Sequence, residues 1–282
     1  MRVNFTKMHG CGNDYIYINC FDKKIDNPEM LSILMSERHF SVGGDGIVLI
    51  ERSNVADAKM RMFNIDGSEG KMCGNAIRCI GKYLYDNQMV LKDEVDIETL
   101  SGIKHLKLFV NNGKVDKVSV DMGYAKFDPN LIPITLDHKM IDEECVVKNH
   151  KYNLTAVSMG NPHAITLIND IEKFDVVKYG KIVESDKHFP NKTNVEFVQV
   201  LDKNTIKMRV YERGSGETLA CGSGACASVV SCVINGLTER NVRVNLLGGY
   251  LNIEYNENNN HVYMTGPAVL VFNGEINLNQ FI

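Results

Sequence analysis

An internal repeat constrains the fold of this chain more than any other feature, because repetition fixes the architecture before local structure is predicted. Residues 59–74 align without gaps with residues 207–222, at an offset of 148 positions (221 − 73), and six of the sixteen aligned residues are identical. Since this offset is chosen to superpose two cysteines, the alignment needs support from other parts of the chain.

The same offset gives that support. It places the Gly-Asn pair at 12–13 on the Gly-Asn pair at 160–161, and it places the apolar run 47–50 on the run 195–198. Slightly different offsets pair two further segments, 100–102 with 247–249 and 122–125 with 265–268. The chain is therefore read as two related halves.

The repeat predicts a lobe over residues 1–128, a linker over 129–148 and a second lobe over 149–282. Apolar residues recur at helical spacing over 75–87 and 224–234, whereas β-branched and aromatic residues alternate in shorter segments. The strands predicted from that alternation include 3–7, 16–19, 46–51, 59–64, 118–122 and 262–264. We predict an α+β fold of two pseudo-symmetric lobes, each a mostly antiparallel sheet wrapped around a central helix.

Charge and hydropathy exclude several classes of partner. The formal net charge is −4 and the sequence pI is about 6.1, so no basic footprint for nucleic acid or an anionic membrane surface is present. No apolar run approaches the ~18 to 20 residues that cross a bilayer, and the first residues lack the apolar stretch of a signal peptide. We expect a cytoplasmic protein whose partner is a small molecule.

The eight cysteines do not indicate a metal centre, because none of them forms a Cys-x-x-Cys pair. Scattered cysteines of this kind are mostly reduced and buried as small apolar residues. That interpretation is kept for Cys79, Cys226 and Cys232, which lie inside the two predicted helices.

Cys73 and Cys221 differ from the others because they occupy equivalent positions of the repeat, each just before the first turn of a helix. The N–H groups and positive dipole end of a helix stabilise a thiolate, which lowers a thiol pKa from about 8.5 toward neutrality. They can also hold a carboxylate, and the glycine after each cysteine lets the backbone approach a ligand. Two buried cysteines with ordinary capping residues are the alternative, but selective retention in both halves favours a function.

Two equivalent thiols on opposite faces of a bound amino acid can invert its stereocentre. One thiolate removes the α-proton and one thiol returns a proton from the other side, provided that both titrate near the working pH. Two helix N-termini would stabilise the charge that builds on the α-carboxylate without a metal or a pyridoxal cofactor. Cys73 and Cys221 thus predict a cofactor-independent amino-acid racemase or epimerase.

Several longer motifs extend this prediction, and they occur in one order along the whole chain. They are KMHGCGND at 7–14, FNIDGS at 63–68, MCGN at 72–75, GNPH at 160–163, TN at 193–194 and ERGSGETLACGSGAC at 212–226. In these motifs the chain resembles the diaminopimelate epimerase family from end to end.

The resemblance implies an enzyme without a cofactor that interconverts LL- and meso-diaminopimelate on the route to lysine and peptidoglycan, and it implies a homodimer. Cys73 and Cys221 take the roles of proton donor and acceptor. His163 is implied to help set the protonation of Cys73, and Glu212 that of Cys221. The substrate-binding residues implied in the same way are Asn13, Asn64, Gly74, Asn75, Asn161, Asn194, Glu212, Arg213, Gly222 and Ser223.

Structural roles are open for some of these residues. His163 follows Pro162 in a predicted turn, where it could only cap or pack, and asparagines in glycine-rich loops are ordinarily turn formers. Three positions depart from the pattern of many members: Gly46 replaces a glutamine of some, Ser223 replaces a threonine, and Cys11 replaces an apolar residue. Gly46 leaves open what completes that wall of the site.

Three other functions are weighed against this one. A proline or hydroxyproline racemase shares the two-thiol chemistry, but such enzymes typically have histidine at the position of Asn75 and bind only one amino-acid end. A thiol hydrolase or transferase using Cys73 with His163 leaves the second Cys-Gly turn unexplained. A non-catalytic amino-acid-binding protein needs no thiols.

Overall fold

The computed structural model describes residues 2–278, which form two compact units. The described residues up to Val120, together with those from Gly266 onward, make the first unit, and Asp121–Thr265 make the second. The outermost parts of the two predicted lobes, residue 1 and residues 279–282, lie outside the described residues.

The first unit consists of strands with two helices inserted between them. Its elements, in chain order, are β1 Arg2–Gly10, β2 Asn13–Asn19, α1 Pro28–Ser36, β3 Gly46–Glu51, β4 Ala58–Asn64, β5 Glu69–Gly70, α2 Gly74–Asp86, β6 Glu94–Thr99, β7 Gly102–Asn111, β8 Lys114–Tyr124 and the last strand, β18 Val269–Asn277. β1 pairs antiparallel with β2 and β18. Two further pairs are parallel, β2 with β3 and β4 with β6. The remaining pairs are antiparallel: β3 with β4, β4 with β5, β6 with β7 and β7 with β8.

The second unit repeats this order. Its elements are a 3-10 turn Pro129–Leu131, β9 Glu143–Val147, β10 His150–Ser158, β11 Pro162–Leu167, α3 Val176–Glu184, β12 Asn194–Asp202, β13 Thr205–Glu212, β14 Gly216–Thr218, α4 Gly222–Ile234, β15 Asn241–Leu246, β16 Gly249–Tyr255 and β17 His261–Pro267. β11 and β12 are parallel, as are β13 and β15, and the other pairs are antiparallel.

Strand register shows that the repeat holds residue by residue. Val48 lies opposite Met62 in the first unit, and Glu196 lies opposite Val210 in the second. Glu196 is 148 positions after Val48, and Val210 is 148 positions after Met62. The helices α2 and α4 also begin 148 positions apart and have 13 residues each. The predicted two-lobed α+β fold is confirmed.

The compact units differ from the predicted lobe boundaries in two places. Residues from Gly266 onward group with the first unit, because β18 pairs with β1 along its length, from Arg2 opposite Asn277 to His9 opposite Val269. The predicted linker 129–148 belongs to the second unit, because β9 pairs with β10 and its apolar side chains enter a buried cluster.

Each unit buries one face of its sheet against apolar helix residues. Ala76, Ile77 and Ile80 of α2 are fully buried, as are Ala225 and Val229 of α4. The shorter helices α1 and α3 were not predicted from the sequence. Each has nine residues and begins at a capping side chain, Asn27 or Asp175, that accepts a backbone N–H.

Within residues 2–278, the longest and most apolar helices still fall short of what a membrane crossing requires.

Candidate active site

The two thiols have the same backbone setting. Cys73 has φ −129° and ψ 121°, and Cys221 has φ −120° and ψ 112°, both extended, and each residue is the N-cap of the following helix without a side-chain capping bond. The carbonyl of Cys73 accepts the first helical N–H from Ile77, and that of Cys221 accepts it from Ala225. The first-turn N–H groups of α2 and α4 therefore point out of the helix beside a sulfur atom.

In the first unit, the Cys73 thiol donates to Asn13 Oδ1 at 3.2 Å. Asn13 follows the two-residue turn at Cys11 and Gly12, whose φ angles of 53° and 83° match the hairpin turn that tightly connects β1 and β2. The turn places Asn13 at the start of β2, next to the N-terminus of α2.

A charged network holds the other end of the Asn13 amide. Asn13 Nδ2 donates to Asp45 Oδ2 at 2.6 Å, and Arg38 Nη2 contacts both Asp45 and Asp14. Lys7 Nζ forms an ion pair with Asp14 at 2.6 Å, and these two cations hold the pKa of Asp14 below its usual value although burial opposes them. Asp45 thus fixes the amide so that its oxygen, an acceptor, faces the thiol.

A buried arginine supports the start of α2. Arg78 is fully buried, and its guanidinium donates to the Gly74 carbonyl and to Asn75 Oδ1, both at 3.0 Å. A Cβ at Gly10 would lie 2.8 Å from Arg78 Nη2, so glycine there makes room for the guanidinium. Asn75 is thereby oriented by Arg78 on one side and by Asn13, at 3.4 Å, on the other.

Two further positions predicted for the first unit have clear settings. Asn64 ends β4, and its amide donates to Ser68 Oγ at 3.0 Å. Gly46 has φ +152°, and a Cβ there would lie 1.9 Å from the Phe63 carbonyl oxygen. No side chain fits at position 46 in this backbone, so residue 46 itself adds none to that wall of the site.

In the second unit, Cys221 is buried among polar groups of a different kind. Its sulfur lies 3.6 Å from Ser223 Oγ, and the charge of the nearby Glu212 carboxylate acts on the thiol. Thr218 Oγ1 also donates to Glu212, at 2.5 Å. β13 and β14 pair Glu212 with Gly216, and this short hairpin leads directly to the cysteine.

The electrostatics at Cys221 reverse the expectation from the helix N-terminus. Burial raises the pKa of Cys221 well above its ordinary value, and the charges of Glu212 and Glu196 raise it further, whereas the Ser223 hydroxyl and the Gly224 N–H oppose them. Burial also raises the pKa of Glu212, against the hydrogen bond from Thr218. The expected lowering toward neutrality is therefore wrong for Cys221, because loss of solvent and nearby carboxylates outweigh the helix dipole.

His163 is fully buried in β11 of the second unit and has a partner at each ring nitrogen. Nδ1 lies 2.7 Å from Glu196 Oε1, and Nε2 lies 3.1 Å from Asn161 Oδ1. His163 also lies opposite Asn194 in the parallel pair of β11 and β12. Its implied role toward Cys73 stays a prediction.

Asn194 ties together two segments of the predicted site. Its Nδ2 donates to the Pro162 carbonyl at 2.9 Å, and its Oδ1 accepts from the Arg213 backbone N–H at 3.0 Å. Glu184, which is almost fully buried, accepts the N–H of Gly214 at 2.9 Å. The Arg213 backbone is thus fixed, while its side chain is exposed and donates to the Asn191 carbonyl at 3.2 Å.

The predicted residues fall into one group in each unit. The first unit brings together Cys73, Gly74, Asn75 and Asn13, with Asn64 at the end of β4, and the second brings together Cys221, Gly222, Ser223, Glu212, His163, Asn161, Asn194 and Arg213.

Sequence reasoning missed Asp45, Arg78, Glu196 and Gly224. Glu196 had a signal, since it is the charged residue within the apolar run 195–198 and aligns with Val48. Asp45 gave no comparable signal, because its contact with Asn13 spans 32 positions.

The cysteines assigned to the core differ in setting from the two at the helix starts. Cys79, Cys226 and Cys232 are fully buried, and burial raises the pKa of Cys79 to about 11 and that of Cys232 to about 12. None of the three stands at the start of a helix, in keeping with a packing role.

Comparison with known proteins agrees with the motifs. A family model described as Diaminopimelate epimerase matches residues 5–127 and 155–271. A diaminopimelate epimerase of Methanococcus maripaludis (strain C5) is 56% identical over 277 residues, which cover 98% of this chain and 100% of that protein. One of Acetivibrio thermocellus is 54% identical over 279 residues, covering 99% and 100%.

Among solved structures, a probable proline racemase from Agrobacterium radiobacter K84 has a TM-score of 0.72 at 13% identity and covers 99% of this chain and 94% of its own. At that identity the likeness concerns the fold alone. The family model spans most of the sequence, and relatives more than half identical cover it almost completely. The chain therefore belongs to the diaminopimelate epimerase family.

Proposed function

We propose that this protein is a cofactor-independent epimerase that interconverts LL- and meso-diaminopimelate, in the formation of precursors of lysine and peptidoglycan. The observation that carries the proposal is the pair of Cys-Gly turns, which have the same backbone angles and each begin a 13-residue helix. Membership of the family gives the pair its substrate.

The proposed reaction is a proton exchange at one carbon. A cysteine thiolate takes the α-proton and becomes a thiol, the bonding pair stays on the α-carbon and its carboxylate, and the other cysteine thiol gives a proton to the opposite face and becomes a thiolate. The raised pKa of Cys221, caused first by burial and then by Glu212, favours the thiol form of that residue. Cys221 is thus ready to donate, and Glu212 can take its proton when the reaction runs in the other direction.

The first-turn N–H groups of Gly74, Asn75, Gly222 and Ser223 would stabilise the reacting carboxylate as charge builds on it. The distal amino-acid end, which does not react, needs polar side chains of its own. We assign this task to Asn64, Asn161, Asn194 and Arg213, with Asn13 and Glu212 near the ammonium groups.

The main competing reaction is racemisation of proline or hydroxyproline, which uses the same chemistry on the same fold. The structural neighbour of that class is only 13% identical, whereas the relatives above 50% identity are named for diaminopimelate. Arg213 and several asparagines also have no task in a site for one amino-acid end.

A substrate panel tests this proposal. LL-diaminopimelate, meso-diaminopimelate, proline and hydroxyproline are incubated separately with the enzyme in deuterated water, and deuterium at the α-carbon is followed by mass spectrometry. We expect exchange on both diaminopimelate isomers and none on proline. Exchange on proline or hydroxyproline alone would assign the protein to the racemases, and exchange on none of the four would refute the epimerase.

We further propose a homodimer that works in the cytoplasm. Four consecutive apolar side chains of β18, from Val269 to Phe272, are between 38% and 53% exposed, which is a surface that a second copy of the chain can cover. Light scattering should give twice the mass of one chain, and Phe272→Asp should lower the mass toward that of the monomer.

The cytoplasmic location is proposed from the cysteines. All eight are free among the described residues, which suits a reducing compartment.

A further inference from the structure

Glu196 is a buried acid that the proposed reaction does not use. It is the third residue of β12, opposite Ile165 and Val210, and its side chain is fully buried. Oε1 contacts His163 Nδ1 at 2.7 Å, and Oε2 has no hydrogen-bond partner among residues 2–278. Burying a carboxylate is costly unless it is paired, so this residue needs an explanation.

The fold itself does not require an acid at this position. The matching residue of the first unit is Val48, in the same register of its sheet and equally buried. An apolar side chain therefore satisfies the packing of this strand against its helix. The carboxylate is a feature of the second unit alone.

The second unit also makes room for the acid. A Cβ at Gly224, in the first turn of α4, would lie 2.5 Å from Glu196 Oε1 and 3.3 Å from the Cβ of Cys221. The matching residue of α2 is Ala76, which is buried and has a Cβ. Glycine is a poorer helix former than alanine, so the second unit gives up helix stability at the point where the carboxylate lies next to the Cys221 turn.

His163 passes the effect of this carboxylate to Asn161. A carboxylate and an amide oxygen both accept hydrogen bonds only, so in this geometry Nδ1 and Nε2 of His163 both donate and each carries a proton. The ring is then held with Nε2 directed at Asn161 Oδ1, 3.1 Å away. An Asn161 whose oxygen is used by the ring turns its amino group, a donor, to the other side.

We propose that Glu196 is a positioning residue that, through His163, fixes the Asn161 amide so that it presents its amino group to a carboxylate of the substrate. This inference deepens the proposed function, on which its kinetic consequence rests. The geometry of Glu196, His163 and Asn161 can be tested separately from that function.

The chain offers its own matched variant for the test, the double substitution Glu196→Val with Gly224→Ala. It installs in the second unit the Val48 and Ala76 pair that the first unit already folds with. Glu196→Gln is the conservative variant, since its amide oxygen can still accept from Nδ1. Glu144→Gln, which removes an exposed carboxylate paired with Lys151, is the control for loss of charge.

The first readout is the ring ¹⁵N spectrum of histidine-labelled, ligand-free protein, with the His163→Gln variant to identify the signals of His163. We expect both ring nitrogens of His163 to be protonated in the wild type, Nδ1 to stay protonated in Glu196→Gln, and a neutral ring with a mixture of tautomers in the double variant. An unprotonated Nδ1 in the wild type would overturn the proposal, because Glu196 would then be the donor, and so would an unprotonated Nε2, because Asn161 would then turn its amino group to the ring. This result does not depend on which substrate the enzyme uses.

The second readout is the KM for diaminopimelate. The double variant should raise KM about tenfold, with a smaller change in kcat, and Glu196→Gln should restore much of the loss. Circular dichroism should show the double variant folded, and Glu144→Gln should behave as the wild type. An unchanged KM in a folded double variant, or a loss confined to kcat, would overturn the proposal, whereas a wild type inactive on diaminopimelate would refute only the proposed function.

Discussion

The two Cys-Gly turns agree in backbone and differ in chemistry. Both cysteines are extended N-caps of 13-residue helices, related by the 148-residue repeat. Cys73, however, is half-buried and donates to a neutral amide, that of Asn13, whereas Cys221 is buried beside the carboxylates of Glu212 and Glu196. The helix N-terminus, which can bind a carboxylate, is the same in both turns. The residues around the two sulfur atoms differ.

This difference suits a reaction that needs one acid and one base at the same time. Two thiols in identical settings have the same intrinsic pKa, so the proton of a thiol–thiolate pair would be shared equally between them. Surroundings that differ separate the two titrations. A pseudo-symmetric fold can thus bind symmetrically and still hold its protons unequally.

The largest effect should follow from removing either thiol. Cys73→Ser and Cys221→Ser should each lower the rate of epimerisation by about 10³-fold or more, because a serine hydroxyl is a far weaker acid than a thiol. Polarimetry from both stereoisomers measures the rate. The buried Cys79→Ala and Cys226→Ala variants are the controls and should stay active.

Solvent deuterium uptake sharpens the comparison of the two turns. If the thiols hold their protons unequally, the two serine variants should differ in which stereoisomer still exchanges its α-proton slowly. Full exchange by both variants on both isomers would show that neither thiol takes part.

The next largest effect concerns Glu212. Its charge is the second cause, after burial, of the raised pKa of Cys221. Glu212→Gln removes that negative charge and should lower the pKa of Cys221. The thiolate then forms at lower pH, and the midpoint for alkylation of Cys221 by iodoacetamide should move down by about one pH unit. Epimerisation should fall by about 10²-fold through loss of proton transfer.

Peptide mapping by mass spectrometry follows the alkylation of Cys221 alone. Glu217→Gln is the matched control, since Glu217 lies in β14, the short strand paired with the end of β13 that carries Glu212, but forms an ion pair with Arg209. Its midpoint should equal that of the wild type. A midpoint that stays constant or rises in Glu212→Gln would mean that burial alone sets this thiol.

The sequence was sufficient where the decisive relation was a repeat. The starts of α2 and α4 are marked by Cys-Gly followed by apolar residues at helical spacing, so both thiols could be placed at helix N-termini without the structure. The pairing of β18 with β1 joins positions as far apart as Arg2 and Asn277, and no local pattern indicates such a contact.

The electrostatics of the site could not be predicted for a related reason. A helix N-terminus is visible in a sequence, but the burial of Cys221 and the approach of Glu196 depend on how strands pack on α4. The same holds for Asp45, whose contact with Asn13 is made across a loop. Glu196 itself was detectable, because it aligns with Val48 in an otherwise apolar run.

The smallest effect, on stability, tests whether Gly224 exists to admit Glu196. Gly224→Ala places a Cβ 2.5 Å from Glu196 Oε1, and the resulting overpacking should destabilise the protein by about 1–3 kcal/mol. A protein of this size loses about 2–4 °C in Tm for each kcal/mol, which scanning calorimetry resolves. In the Glu196→Val background the same substitution should instead raise Tm, because the clash is gone and alanine is the better helix former. The change of sign is the essential result: if Gly224→Ala shifts Tm in one direction in both backgrounds, the glycine serves the helix start itself and the acid merely occupies the space.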